Sequence, residues 1–326
     1  MKRQYETVVE YIKSRILGGD YRIGELIPGE RKMAETLSVS RPSIRRAIKE
    51  LAEQGILECR PSQGSVVKKV PETKLIVGYL VEDLQDPFHL ELIRELDNLL
   101  HEVNGGLIVA QGLDDSRLIS MGINRAVKHN TLYRGASKDK IPTVYIGNVS
   151  DDVDMVVSDV KSGMEMVYRH LRDLGHTRMA YASQFEKEID VQYPHLLGCM
   201  EKDGMRLAGH YVINPREEHQ YEEIVQTLAA ARDGPTALVC YNDWLAMSFI
   251  EAAKKLGLDI PGRLSLTGYD DLHVSSVLQV PLTTIRFSRS ETARKILDML
   301  QKPSNEPRKE IVETRLIVRE STARIA

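Results

Sequence analysis

Cysteine is scarce in this sequence. Among 326 residues only Cys59, Cys199 and Cys240 occur, and they are far apart. No pair has the spacing of a metal site, and a sparse, odd-numbered set argues against a disulfide framework. We therefore expect neither a structural metal ion nor a disulfide bond to stabilise the fold.

Long apolar runs are also lacking. The first residues, Met1-Lys2-Arg3-Gln4, begin a polar amphipathic segment without the apolar region of a signal peptide. No stretch approaches the roughly 20 apolar residues that span a bilayer. A cytoplasmic protein without a membrane partner is the simplest expectation.

The short motifs of common enzymes are absent as well. No Gly-x-Gly-x-x-Gly follows the predicted strand Leu75–Val81, and there is no P-loop, no His-Glu-x-x-His and no Gly-x-Ser-x-Gly. The 9 histidines are scattered and form no obvious site. These absences predict no catalytic residues, no cofactor and no metal, and they favour a binding protein over an enzyme.

Charge is present but unevenly distributed. The chain has a net charge of −3, yet residues 1–70 contain 14 Lys and Arg against 9 Asp and Glu. The first 70 residues are thus positive by 5, and the remainder is negative by 8. A basic head on an acidic body fits a nucleic-acid-binding domain joined to a domain with another role.

The stretch Pro28–Gly64 has the order of a helix-turn-helix followed by a wing. Two short helical patterns meet at the turn Ser38-Val39-Ser40, and a hairpin with the tip Pro61–Gly64 follows. Ser40 is expected to cap the second helix. The apolar stripe of that helix, at spacing i, i+3, i+4 and i+7, consists of Ile44, Ala47, Ile48 and Leu51.

Cations flank this stripe. Arg41 lies at the N-terminal end of the helix, and Arg45, Arg46 and Lys49 lie off the stripe. A buried stripe backed by cations suits a recognition helix, because Arg bonds guanine bidentately and any cation gains from phosphate neutralisation. The alternative is a solvated helix face, which explains most charge runs. The preceding helix and the hairpin favour DNA.

The residues that carry a family resemblance here are Pro28, Glu30, Arg31, Ala34, Val39, Ser40, Arg41, Arg45, Ala47, Leu51, Gly55 and Leu57. Through them the segment resembles the GntR family of winged-helix regulators over about 65 residues. Helical periodicity adds Arg46 and Lys49 as candidates for phosphate contact. The DNA contacts that the resemblance implies are made by Arg31, Arg41, Ser43, Arg45 and the wing-tip Gly64, which enters the minor groove.

Beyond a polar linker at residues 70–74, predicted strands and helices alternate. Such alternation implies parallel sheets with helices on both faces, and about 250 residues suit two lobes better than one. We predict an α/β fold with a winged helix-turn-helix domain at residues 1–69 and a two-lobed domain at 75–326. The predicted lobe boundaries are 75–158 with 288–303, and 159–287 with 304–326.

Five motifs occur in order in this body: Asp86-Pro87-Phe88, Leu174–Ala180, Pro235–Ala237 with Asn242-Asp243, Ser265–Asp271 and Pro281–Ile285. Through them the body resembles the LacI-type effector domain, a relative of periplasmic sugar-binding proteins. The resemblance implies a cleft between the lobes that holds a small-molecule effector, by default a carbohydrate. It also implies a homodimer with contacts on outer helices, including the stripe Leu92–Leu100.

Candidate ligand contacts lie at the ends of predicted strands, where ligands of open α/β sheets bind. Oxygens of Asp86, Asn242 and Asp270 can hold sugar hydroxyls, and Phe88 can stack on an apolar sugar face. In the family these positions line the cleft. His195 stands where the family often has an Arg that grips a sugar hydroxyl, and it is a shorter, titratable donor. The alternatives are that Asp270 caps a turn and that Phe88 belongs to the core.

The stretch between Ala110 and Ile141 looks about 10–15 residues short against the family pattern. With Arg117–Lys128 predicted as a helix, a central strand and its following helix are missing. Either the lobe is abbreviated or the sequence lacks a segment, and we favour the second because losing a central strand exposes the edges of its neighbours. Further along we predict a structural role for His176 and one final strand, Glu310–Val318.

The predicted function is a ligand-controlled transcriptional repressor. It binds a palindromic double-stranded DNA operator as a dimer and is released by a small molecule, most simply a sugar. The alternative is a GntR-headed protein with an enzymatic or ligand-independent α/β body, although an aminotransferase-like body needs more residues than are present. A transport-linked binding protein is disfavoured by the DNA-binding head.

Overall fold

The computed structural model describes residues 4–17, 20–61, 63–69, 74–81, 87–112, 114–130, 139–214, 217–231, 233–304 and 306–325. By its internal contacts the chain divides into two units, Met1–Lys74 and Leu75–Ala326. The candidate ligand residue Asp86 and all but one residue of the predicted linker lie outside the described residues.

The N-terminal unit contains three helices and a small antiparallel hairpin. Leu26 forms one further bridge to this hairpin, opposite Val66. The predicted stripe of the third helix is buried, and it packs in one core with Val8 and Ile12 of the first helix. The elements are α1 (Gln4–Leu17), α2 (Glu30–Leu37), α3 (Arg41–Glu53), β1 (Leu57–Arg60) and β2 (Gly64–Val67).

The first lobe of the larger unit is built on a parallel sheet of six strands in the order β13-β7-β6-β5-β3-β4. Helices α4 and α10 pack against each other beside this sheet. The elements are β3 (Ile76–Val81), α4 (Pro87–Glu102), β4 (Gly106–Gln111), α5 (Asp115–Ser120), β5 (Arg125–His129), β6 (Thr143–Ile146), β7 (Asp154–Ser158), α10 (Arg289–Gln301) and β13 (Lys309–Val312).

The second lobe is built on a second six-stranded sheet in the order β14-β12-β11-β10-β8-β9. All of its pairs are parallel except β12 with β14. The elements are α6 (Val160–Asp173), β8 (Met179–Ser183), α7 (Tyr193–Lys202), β9 (Gly209–Val212), α8 (His219–Ala230), β10 (Ala237–Cys240), α9 (Asp243–Lys255), β11 (Ser265–Tyr269), a 3₁₀ helix (His273–Ser276), β12 (Thr283–Phe287) and β14 (Thr314–Ile317).

The chain passes between the lobes three times, after β7, after β12 and after β13. Hydrogen bonds of Asp159 join the crossing after β7 to the crossing after β13. The Asp159 backbone N–H donates to the Val312 carbonyl at 2.9 Å, and the Thr314 hydroxyl donates to the Asp159 carbonyl at 3.1 Å. The α/β fold with a small winged helix-turn-helix and two mainly parallel sheets confirms the predicted fold class.

The predicted helix Arg117–Lys128 is wrong. Helix α5 ends at Ser120, and Arg125–His129 forms β5, which pairs with β3 on one side and β6 on the other. The central strand that the sequence seemed to lack is therefore present. The edges of β3 and β6 that its loss would expose are both paired with it. Residues 131–138, where a following helix was expected, lie outside the described residues.

The predicted final strand Glu310–Val318 is two strands. Lys309–Val312 pairs with β7 in the first sheet, and Thr314–Ile317 pairs with β12 in the second, so the chain changes lobe at Glu313. The predicted assignment of residues 304–326 to the second lobe is therefore wrong for β13. Strand β7, which forms the other half of the first pair, was not predicted.

Candidate functional site

Helix α3 presents one buried and one exposed face. Ser40 caps the helix as predicted, because its hydroxyl accepts a hydrogen bond from the Ser43 backbone N–H at 3.4 Å. Since the apolar stripe is buried, the cationic residues of the same helix are left on its solvent side. The exposed cations on α3 are Arg41, Arg45, Arg46 and Lys49.

Arg41 and Arg45 meet at one carboxylate. Arg45 donates two hydrogen bonds to Glu30, at 3.1 and 2.9 Å, and the nearest nitrogen of Arg41 lies 4.0 Å from the same side chain. The Arg45 guanidinium lowers the pKa of Glu30. Both arginines remain mostly exposed, with 62% and 69% of their side-chain surface accessible. Glu30 thus gathers two predicted base-reading groups without burying them.

The other helix candidates have separate partners. Arg31 pairs with Glu35 at 3.1 Å, one turn along α2. Lys49 lies 3.8 Å from the carboxylate of Glu53, one turn along α3. The Arg46 guanidinium lies over the Tyr5 ring of α1, 3.8 Å from its centroid, which is a cation–π distance. Arg46 is therefore held on the α1 side of the helix.

Ser43 and Gly64 occupy the ends of the predicted DNA surface. The Ser43 hydroxyl lies 2.9 Å from that of Ser40 and 3.5 Å from the Gln4 amide oxygen. Gly64 begins the second strand of the wing with φ +111°, a conformation that favours glycine. A Cβ on Gly64 would stand 3.2 Å from the Leu26 side chain. None of the seven predicted DNA-contact residues is buried.

A cavity of about 530 Å³ lies in the larger unit. It is lined by residues of both sheets and their following loops, at the carboxyl ends of several strands. Four of the five predicted ligand residues line it: Phe88, His195, Asn242 and Asp270. The fifth, Asp86, lies outside the described residues.

Asn242 and Asp270 follow neighbouring strands, β10 and β11. The Asn242 amide oxygen caps α9 by accepting from the Leu245 backbone N–H at 2.9 Å. Asp270 has φ +112°, and its backbone N–H donates to the Ile285 carbonyl at 2.8 Å. The next residue, Asp271, pairs with Arg286 and Arg319.

Phe88 lies at the border between the core and the cavity. It packs beside the main core of the body and also lines the cavity. Its ring lies 6.0 Å from that of Phe287 and 6.3 Å from that of His129, and the Arg289 guanidinium lies 4.6 Å from its centroid. Phe88 therefore forms part of an aromatic wall on the first-lobe side.

His195 lies in the first turn of α7 and is partly buried.

Several neighbours of these candidates on the cavity wall were not predicted from the sequence. Phe185 and Tyr241 form an edge-to-face pair at 4.9 Å on the second-lobe side. Tyr241 directly precedes the predicted Asn242, so its position after β10 was a usable signal. Lys161 and Lys309 add exposed cations to the wall.

Two further predictions concern residues away from the cavity. His176 is buried, its Nδ1 lies 2.9 Å from the Thr236 hydroxyl, and its Nε2 lies 3.1 Å from the Ala323 carbonyl. These contacts confirm its structural role. The stripe Leu92–Leu100 was predicted at a dimer contact, but Leu92, Leu96 and Leu100 are fully buried in the core. That prediction is wrong, because the apolar face of α4 packs inward.

Two protein-family models match the chain. Residues 4–67 match the bacterial regulatory proteins of the gntR family, and residues 168–322 match a periplasmic binding protein-like domain. The chain thus joins an N-terminal domain that matches the gntR family model to a body that matches the periplasmic binding protein-like model. No helix in the described ranges is long and apolar enough to cross a membrane.

Among curated proteins, the arabinose metabolism transcriptional repressor of Geobacillus stearothermophilus is 26% identical over 361 residues, covering 99% of this chain and 98% of that protein. The regulator GalR of Escherichia coli is 24% identical over 239 residues, covering 66% of this chain and 68% of GalR. These relatives are transcriptional regulators.

Solved structures share the fold of the body. A LacI-family regulator from Enterococcus faecium with bound ribose superposes with a TM-score of 0.66 at 20% identity, covering 77% of this chain and 100% of that chain. The lac repressor dimer bound to operator and an anti-inducer gives 0.65 at 16% identity, covering 77% and 95%. These structural likenesses show the fold of the body, and the curated relatives named above are transcriptional regulators.

Proposed function

We propose that this protein represses transcription by binding a palindromic operator as a homodimer, and that a small carbohydrate in the cavity releases it. The observation that carries this proposal is the convergence of Phe88, His195, Asn242 and Asp270 on one cavity, in a chain that begins with a gntR-family domain. An arabinose repressor among the relatives and a ribose-bound structural neighbour support a sugar effector.

The cavity wall has the chemistry that a sugar requires. The Asp270 carboxylate and the Asn242 amide bond hydroxyls, and the rings of Phe88, Phe185 and Tyr241 cover apolar sugar faces. A ligand that contacts both lobes favours one arrangement of the lobes over others, because only its differential affinity can shift such an equilibrium. If that arrangement misplaces the DNA-binding domains of a dimer, operator affinity falls.

A dimer requires a self-complementary surface, and four exposed apolar side chains offer one. Leu90, Trp244, Val274 and Val277 are between 40% and 69% exposed. Leu90 adjoins Glu91, which accepts a hydrogen bond from the His273 backbone, and Trp244 adjoins Asp243, which accepts from Ser275. Val274 lies in the 3₁₀ helix and Val277 directly follows it, and the sequence neighbours of Leu90 and Trp244 bond this helix. We refer to these four apolar side chains as the apolar patch.

The effector proposal is tested by thermal unfolding with arabinose, ribose, xylulose and arabinose 5-phosphate. The phosphate ester is included because Lys161 and Lys309 line the cavity. A ligand at 100 times its dissociation constant stabilises by about 2.7 kcal/mol, which raises the midpoint measurably. Asp270→Ala is expected to abolish the shift, and Asp173→Ala, an exposed aspartate of the same lobe, to retain it. A shift that survives Asp270→Ala contradicts the site, and no shift with any of the four contradicts the proposed effector.

A further inference from the structure

Three hydrogen bonds between the lobes end on one short segment of the second lobe, Tyr269–His273. The Tyr269 hydroxyl donates to the Ser158 hydroxyl at 2.9 Å. Arg289 donates to the Asp270 carbonyl at 2.9 Å. The His273 backbone N–H donates to the Glu91 carboxylate at 3.1 Å. Glu91 and Arg289 lie on α4 and α10, which pack beside the first sheet.

This segment contains unusual backbone conformations. Asp270 and Asp271 have φ +112° and +50°, and a side chain makes such conformations costly, so surrounding contacts must hold them. The second lobe supplies some of these contacts. Asp271 pairs with Arg286 and Arg319, and the buried Asp243 accepts from the Leu272 backbone N–H at 2.8 Å. Glu91 and Arg289 hold the segment from the opposite lobe.

Arg289 also contacts the cavity wall. Its side chain is 9% exposed, and its guanidinium lies 4.6 Å from the Phe88 ring centroid and 4.2 Å from that of Phe287. The nearest Glu91 carboxylate oxygen lies 3.9 Å from its Nε. A buried guanidinium needs both compensating charge and hydrogen-bond acceptors. Glu91 supplies the nearby charge, and the Asp270 carbonyl accepts a hydrogen bond. Arg289 thus touches both Phe88 and Asp270 of the cavity wall.

We propose that Glu91 and Arg289 are positioning residues of the effector site, which hold the backbone of Asp270–His273 from the first lobe. The place of Asp270 on the cavity wall then depends on the apposition of the two lobes. The same segment leads into the 3₁₀ helix with the exposed Val274, so a change of lobe arrangement reaches the apolar patch. The effector part of this inference rests on the proposed function.

Hydrogen exchange of the ligand-free full-length protein tests directly whether Glu91 and Arg289 hold the backbone of Asp270–His273. In Glu91→Ala and Arg289→Met the amides of residues 270–276 are expected to exchange about tenfold faster, which corresponds to one lost hydrogen bond of about 1.4 kcal/mol. The strand Met179–Ser183, in the interior of the second sheet, is expected to exchange as in the wild type.

Matched controls lie on the same helices. Glu95→Ala removes a similarly exposed carboxylate one turn along α4, whose partner is Arg94. Arg294→Met removes an exposed guanidinium of α10 that bonds Ser290 within the helix. Both are expected to leave exchange in residues 270–276 unchanged. Wild-type exchange in Glu91→Ala and Arg289→Met overturns the proposal, and equal acceleration in the controls does so too, because it indicates general loosening of the lobe.

The conservative variant separates a hydrogen bond from a role in folding. Glu91→Gln keeps an acceptor oxygen for the His273 N–H and is expected to restore most of the protection that Glu91→Ala loses. If residues 270–276 exchange as fast in Glu91→Gln as in Glu91→Ala, the positioning role of Glu91 is contradicted. Because these measurements need no effector, they stand apart from the sugar panel. A failed panel contradicts the proposed effector, whereas unchanged exchange contradicts only the positioning role.

Discussion

At the scale of single residues, the proposed DNA surface depends on arginines that are held in place without being buried. Glu30 fixes the Arg45 guanidinium by two hydrogen bonds and lies within ion-pair reach of Arg41. An exposed pair of this kind contributes little to stability. Its consequence is orientation, since it restricts side chains that would otherwise sample many rotamers before meeting a base.

Arg41→Ala is expected to weaken operator binding by about 1–3 kcal/mol and to relax specificity at one base position, because a bidentate base contact is lost. Fluorescence anisotropy with single-base operator variants at fixed salt measures both effects. Arg94→Ala, an equally exposed arginine of the body, is the control and should bind DNA as the wild type does. Unchanged binding by Arg41→Ala would count against the assigned recognition face.

Asp243 links stability to pH. It is fully buried and accepts hydrogen bonds from Leu272, Ser275 and Thr284, yet burial raises its pKa to about 6. An acid with a raised pKa binds its proton more tightly in the folded state than in the unfolded state. Stability from this group is therefore gained as pH falls from about 6 towards 4, and it is lost as pH rises through 6.

The comparison of wild type with Asp243→Asn isolates this effect, because asparagine is neutral at every pH. The free energy of unfolding of the wild type is expected to rise by about 2 kcal/mol relative to the variant between pH 7 and pH 4. Urea unfolding at several pH values measures it, with Asp173→Asn as an exposed control. A difference that stays constant over this range contradicts a raised pKa.

Residue roles were predictable where a motif marks them and not where distant segments meet. Asp270 and Asn242 could be chosen because they follow strands within recognisable motifs. Arg289 could not, since its contacts join α10 to Phe88 and to a loop of the other lobe, and nothing in its local sequence indicates burial. The burial of Asp243 could not be predicted for the same reason, because its partners Ser275 and Thr284 are distant in the sequence.

At the scale of elements, the missed strand β5 shows where periodicity fails. Its charged residues suggested a solvated helix. In the fold the Lys128 ammonium is buried between Asp115 and Asp139, at 2.9 and 2.6 Å, and Arg125 donates to the Leu300 carbonyl. These partners lie up to 175 residues away. Amphipathic helices such as α3 were predictable, because their stripe and cap are local.

The wing provides a test at the scale of an element. Gly64→Val is expected to destabilise the N-terminal unit by about 1–3 kcal/mol, because φ +111° is strained for a β-branched residue and Leu26 stands close.

Gly29→Ser is expected to stabilise the same unit by a few tenths of a kcal/mol, since the N-cap of α2 has extended geometry, open space and no side-chain cap. Thermal unfolding of the wild type and both variants measures these effects. Equal unfolding midpoints for Gly64→Val and Gly29→Ser contradict both predictions.

At the scale of the whole molecule, the three crossings join the lobes into one unit with a shared cavity, while the proposed operator binding requires a second copy of the chain. The prediction that α4 supplies a dimer contact through Leu92–Leu100 failed, since those side chains form the core. Helical spacing identifies an apolar face but not what covers it. The apolar patch is one of the groups of apolar side chains that remain exposed after the core is assigned.

Val277→Asp is expected to convert a dimer into a monomer, because a charge placed in a buried apolar contact is not solvated. Sedimentation equilibrium distinguishes the 36.8 kDa chain from a species of twice that mass. Val318→Asp, at a residue of similar exposure outside the patch, is the control and should remain dimeric. A monomeric wild type, or a dimeric Val277→Asp, contradicts the proposed surface.

The central claim is that one molecule couples a sugar to DNA binding. The most direct measurement is the affinity for a DNA duplex selected by the protein from a random pool, with and without the sugar that raises its unfolding midpoint, at constant salt. We predict a 5–150-fold loss of affinity, about 1–3 kcal/mol of coupling, which Asp270→Ala abolishes while leaving sugar-free binding intact. Equal affinity with and without a sugar that demonstrably binds would contradict the account.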